Sequence, residues 1–147
     1  MTSFEDIYNV FFGKITDDMY LEWSEEDTLR DIESILMEAL PMFEFPKFDI
    51  TDIQDNSFSA DLTSAEIDII ATIMVWAWIK RQVASCDNIR MKFSGSDFKM
   101  TSQANHLEKL LKLQEQWRAE SHHAQRLYGR RKVGNKGIYE STWKQLR

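Results

Sequence analysis

Residues 63–84 read TSAEIDIIATIMVWAWIKRQVA, and positions 67–79 within them are apolar except for Asp68 and Thr72. That run is thirteen residues long, whereas a membrane-spanning helix needs about 20, and Lys80 and Arg81 follow it at once. A membrane span is therefore not expected. Thr63 and Glu66 stand in the spacing of a capping box, which satisfies two backbone donors at a helix start, so the spacing predicts a helix from this point to about Ala84. A helix that is apolar on every side belongs at the centre of a helical core, or in a core shared between subunits. Trp76, Trp78 and Ile79 are accordingly expected to be buried, within the subunit or between subunits.

Working outward, SFEDIYNVFF near the start places Ser3 as an N-cap, and Phe4, Ile7, Tyr8, Phe11 and Phe12 fall at helical spacing before Gly13, the expected stop. SEEDTLRDIESILMEALPMF offers Ser24 or Thr28 as a cap and an apolar face of Leu29, Ile32, Ile35, Leu36, Ala39 and Leu40, with Pro41 ending or kinking the helix. Residues 44–62, EFPKFDITDIQDNSFSADL, have no 3.6-residue period. They read as an acidic loop that packs by Phe45, Phe48, Ile50, Ile53 and Phe58, with room for a short strand. After a connector with Gly95 as breaker, a last long helix is expected from about Ser102 to Tyr128, burying Leu107, Leu110, Leu111, Leu113 and Trp117. The fold class is mainly α: a small helical bundle with an acidic interhelical loop and an extended C-terminal arm. The division expected is a helical domain over 1–128 and the arm over 129–147.

A chain of 147 residues with 43% hydrophobic and 12% aromatic residues is enough for one core. Cys86 is the only cysteine, so no intrachain disulfide can form, and a buried thiol is its simplest reading. The opening MTSFEDIYNVFF carries none of the pattern of a signal peptide, and the chain is expected to stay in the cytoplasm in which it is made. His106, His122 and His123 lack the companions of a metal site, and adjacent helical residues such as His122 and His123 point about 100° apart. The acidic stretch TDDMYLEWSEED reads as a solvated or partner-facing surface rather than a magnesium site. No phosphate loop, dinucleotide fingerprint or nucleophile elbow is present. No cofactor, no metal and no enzymatic activity are expected.

Charge is distributed unevenly. Residues 1–70 hold 18 acidic against 3 basic side chains, a net of −15, while residues 71–147 hold 6 acidic against 15 basic, a net of +9. Such a two-signed chain suits head-to-tail contact between copies, or a basic segment reaching for an acidic partner. The segment GRRKVGNKGIYESTWKQLR fits the second role. Its glycines give reach, Arg130, Arg131 and Lys132 give attraction, and Ile138, Tyr139 and Trp143 are apolar anchors that want burial, as in an arm that orders on a partner. A nucleic-acid-binding helical module is the alternative reading, with the basic C-terminal segment on phosphates and Tyr128 and Tyr139 stacking on bases. The acidic first half would repel the same polyanion.

DFKMTSQANHLEKLL, residues 97–111, opens the last helix with a polar group. Thr101 or Ser102 is expected to cap it, leaving Gln103, Asn105 and His106 for contacts with a neighbouring subunit or a packed loop, since no nucleophile and base pair can be built from them. Two segments, FFGKITDDMYLEWSEEDTLRDIESILMEALPMF (11–43) and LTSAEIDIIATIMVWAWIKRQVASCDNIRMKFSGSDFKMTSQANHLEKLLKLQ (62–114), carry an F-x-x-K-I-T-D start, an L-T-x-x-E capping start and the DFKMTSQANHL helix start. Over residues 4–117 the chain resembles the small neck proteins of tailed bacteriophages, the head-tail connector or adaptor proteins beneath the portal. The resemblance implies a mostly helical structural protein of the virion neck, assembling as a ring, commonly of twelve copies. It implies as partners the portal protein and a tail-proximal neck or tail-completion protein, with DNA passing through without sequence-specific binding. The arm lies outside the matched residues.

Overall fold

The computed structural model describes residues 1–15, 24–92, 97–133 and 139–141, with side chains over 1–15, 24–85 and 105–131. It is mainly helical. In chain order it runs β1 (Thr2–Ser3), α1 (Phe4–Lys14), α2 (Glu25–Ala39), a single 3-10 turn (Leu40–Met42), β2 (Ile53–Gln54), β3 (Ser57–Phe58), α3 (Ser64–Lys92), α4 (Asp97–Gly129), β4 (Arg131–Val133) and β5 (Tyr139–Ser141).

Helix α3 is the axis, and α1, α2 and α4 pack around it. Its residues from Ile69 to Val75 are all buried, as are Ala77 and Ile79, so its lack of a polar face is matched by apolar neighbours on every side. Ile73 and Met74 are fully enclosed, each contributing about 1.5–3 kcal/mol through burial. The capping box forms: the Thr63 backbone N–H donates to Glu66 Oε1 at 2.9 Å, and the Glu66 N–H donates to Thr63 Oγ1 at 3.3 Å. Thr72, the polar residue inside the apolar run, is satisfied by donating its hydroxyl to the Asp68 carbonyl at 2.8 Å. Asp68 in turn meets Lys14 at 2.8 Å and ties α1 to α3. Arg81 ties α2 to α3, reaching Glu38 at 2.9 Å, Ser34 Oγ at 2.9 Å and Asp31 at 3.6 Å.

The helix starts follow local chemistry. Ser3 caps α1 and Ser24 caps α2, each accepting a backbone N–H at 3.2 Å. Gly13 does not end α1, which continues to Lys14 before Ile15 turns extended. Pro41 converts the end of α2 into the 3-10 turn. The acidic loop holds a tight hairpin: Asp55 and Asn56, both with positive φ (48° and 56°), turn β2 into β3, a conformation that Asp and Asn tolerate better than most residues. β3 is the middle strand of a small antiparallel sheet ordered β1-β3-β2, which pins residues 2–3 against the loop.

Further expectations are corrected, beginning with Phe45, which does not pack in the loop but stands exposed. Helix α3 continues past Ala84 to Lys92, and α4 begins at Asp97, because residues 85–92 contain neither Gly nor Pro to stop a helix already nucleated. Thr101 and Ser102 consequently lie inside α4 and do not cap it. Leu111 and Leu113 are exposed, and the buried stripe of α4 instead runs through Leu107, Leu110, Ser121 and Tyr128, with Trp117 and Ala124 partly buried against the core.

Candidate functional site

The two ends of the core meet at a polar junction that joins the start of α3, the acidic loop and the end of α4. Tyr128, only 3% exposed, donates its hydroxyl to Glu66 Oε2 at 2.8 Å. The Tyr128 hydroxyl oxygen also accepts the Lys47 backbone N–H at 2.8 Å. Glu66 spends its other oxygen on the capping box, so one buried carboxylate fixes both the helix start and the tyrosine. The Lys47 ammonium lies 4.6 Å from the centre of the Tyr128 ring and donates to the carbonyls of Tyr128, at 3.0 Å, and Arg131. It thus caps the negative end of α4. Gln125 completes the arrangement, accepting the Glu44 N–H at 3.0 Å through Oε1 and donating through Nε2 to Ser121 Oγ at 3.2 Å and the Met42 carbonyl at 3.3 Å.

This junction supports a groove of about 330 Å³ lined by Phe43, Glu44, Phe45, His122, Gln125, Arg126, Tyr128 and Gly129. Phe45 stands 79% exposed at its edge. A second cleft, of about 320 Å³, opens between the starts of α1 and α2, lined by Phe4, Tyr8 and Leu29 together with Ser3, Glu5, Glu25, Glu33 and Asn56. Burial, reinforced by the Glu33 charge, pushes the Tyr8 hydroxyl up to about 12, so it stays protonated beside these carboxylates. The two openings lie at opposite ends of a row of touching rings: Phe4–Phe58 at 5.2 Å, Phe58–Phe48 at 5.8 Å, Phe48–Phe43 at 6.0 Å and Phe43–Tyr128 at 5.4 Å between centroids.

The residues singled out from sequence do not gather at one place. Trp76 and Trp78 are partly buried against the core, and neither indole Nε1 finds an acceptor among the described residues. Trp76 is flanked by the His122 ring at 5.8 Å and by Lys80 at 5.2 Å from its centroid. Asn105 and His106 are exposed on α4, while Gln103 lies in the same helix with its side chain outside the described residues. Arg130 and Arg131 are exposed directly after α4. Lys132 and Tyr139 belong to β4 and β5, an antiparallel pair in which Lys132 faces Glu140 and Val133 faces Tyr139; their side chains, and the whole of Ile138 and Trp143, lie outside the described residues. Tyr128 is no base-stacking platform, since both its ring and its hydroxyl are committed inside the protein.

The junction itself is not apparent in the sequence, because Lys47, Glu66 and Tyr128 are far apart along it. A faint signal exists: Lys47 is the only basic residue between Arg30 and Lys80. A lone cation in an acidic loop has a reason to be there. Among the described residues no group of His, Cys, Asp and Glu is placed to hold a metal ion, and no described helix is long and apolar enough to cross a membrane. Compared with known protein families, with curated proteins and with solved structures, the chain finds no match.

Proposed function

We propose that this chain is a structural subunit of the neck of a tailed bacteriophage, a head-tail connector that assembles as a ring beneath the portal, continues the DNA channel and meets a tail-proximal protein on its other side. The reading rests on the F-x-x-K-I-T-D, L-T-x-x-E and DFKMTSQANHL starts within residues 11–43 and 62–114, the sequence features by which the chain resembles neck proteins. The segregated charge supports it, because a subunit held between like copies and unlike rings needs complementary flanks. In this reading the arm from 129 onward docks on the portal, with Arg130, Arg131 and Lys132 drawn to an acidic surface and Ile138, Tyr139 and Trp143 as anchors. The wall facing the DNA is acidic or neutral, so that the duplex slides without sticking. The test is to find the chain in purified particles by mass spectrometry and to place it by imaging. Absence from intact particles refutes the proposal, and a channel lined chiefly by Arg130, Arg131 and Lys132 favours the nucleic-acid reading instead.

A further inference from the structure

We propose that copies of this chain associate head to tail, with Phe45 and the Arg126 end of α4 in one copy seated in the glutamate-rimmed cleft between α1 and α2 of the next. The inference deepens the ring reading, on which it rests, by naming the surfaces that meet.

Phe45 is a large apolar side chain standing in solvent, and its backbone is held on both sides. The Glu44 N–H is fixed by Gln125, Pro46 restricts the backbone of the residue before it, Phe45 itself, and the Lys47 N–H is fixed by Tyr128. An aromatic residue presented outward from a rigid backbone loses little freedom on binding, which is what a contact anchor requires. Beside it stands Arg126, and past the helix end Arg131, both exposed; Glu44 is the one carboxylate among the described residues lining that groove. The cleft is the converse. Its apolar seat is the 47% exposed Leu29 over a floor of the buried Phe4 and Tyr8, and its rim of Glu5, Glu25 and Glu33 has no basic residue among the described lining side chains.

A chain cannot close this contact on itself. The cleft lies at the N-terminal half of α2 and Phe45 beyond its C-terminal end, and Leu29 and Ala39 alone are separated by about 15 Å of helix. The two surfaces are unlike, so the contact is heterologous, and repetition gives a closed ring or an open filament according to the rotation per step.

The test uses full-length protein and two variants at exposed positions, Phe45→Glu and Leu29→Arg, the second filling the cleft and neutralising its rim. Circular dichroism checks that each remains helical, and sedimentation velocity gives the mass across a concentration series. The wild-type chain is expected to grow beyond dimers as concentration rises, less so at high ionic strength, and each variant alone to associate at least about tenfold more weakly. Mixed in equal amounts, the variants still share one intact surface pair and are expected to form dimers and nothing larger. The proposal is overturned by a wild-type chain that is monomeric up to about 1 mM, by variants that associate as the wild type does, or by a mixture that stays monomeric. A chain found in particles yet monomeric in solution overturns this contact and leaves the neck reading standing; one that associates as described but is absent from particles does the reverse.

Discussion

At Tyr128 a single hydroxyl donates to Glu66 and accepts from the Lys47 backbone, both at 2.8 Å and out of solvent. Tyr128→Phe keeps the ring and removes that oxygen, leaving a buried carboxylate oxygen and a backbone N–H without their partner. The expected loss is about 1–3 kcal/mol, read as a lower urea midpoint with an unchanged slope. A fall in the slope instead would mean that the compactness of one state had changed. Tyr8 gives a pH-dependent expectation. Its folded-state value of about 12 lies above the ordinary 10.0, so above pH 10 the unfolded chain gives up this proton before the folded one does. The unfolded state is then favoured, and stability falls as pH rises from about 10 to about 12, by at most about 1.4 kcal/mol per pH unit from this group. Tyr8→Phe should flatten the alkaline slope relative to the wild type, and identical slopes would show that other groups dominate there.

Among the elements, what could be read from sequence was what short-range chemistry determines. Ser3, Ser24 and the Thr63/Glu66 pair start helices through bonds spanning two or three residues, and the apolar run of α3 states its own central place. Features set by distant partners were hidden. Leu29 belongs to the apolar face of α2 by spacing, yet it lies on the wall of a cleft because no element among the described residues covers that end of the helix. Ser121 is buried on α4 because Gln125 bonds it, and Leu111 and Leu113 are exposed because the stripe facing α3 passes them by. The capping box carries a prediction at this scale. Thr63→Ala should cost about 1 kcal/mol for the lost cap. Because Glu66 also holds Tyr128, the combined Thr63→Ala, Tyr128→Phe chain should depart from additivity by about 0.5 kcal/mol or more in thermal or urea unfolding. Strict additivity would show that the two oxygens of Glu66 act independently.

For the whole molecule, the division at the end of α4 gives a direct experiment. A chain ending at Tyr128 retains every described helix apart from the last residue of α4, and should keep its helicity by circular dichroism while incorporating poorly into particles. Loss of helicity would assign residues beyond 128 to the core, and normal incorporation would end the docking idea. Of the helix pairs, α3 and its chain neighbour α4 share the most extensive contact, a hairpin that can form from nearby residues, whereas the contacts between Lys47 and Tyr128 bridge 81 positions. Closing so long a loop is slow relative to zipping a hairpin, and bonds of that reach are expected to mature after the folding barrier has been crossed. Lys47→Met, which keeps the aliphatic stem but removes the charge, should therefore leave the refolding rate nearly untouched and speed unfolding, visible as a shift of only the unfolding limb in denaturant-jump kinetics. The lone lysine of the acidic loop would then act as a brake: it sets how long the folded chain persists, while the helical hairpin sets how fast that state is reached.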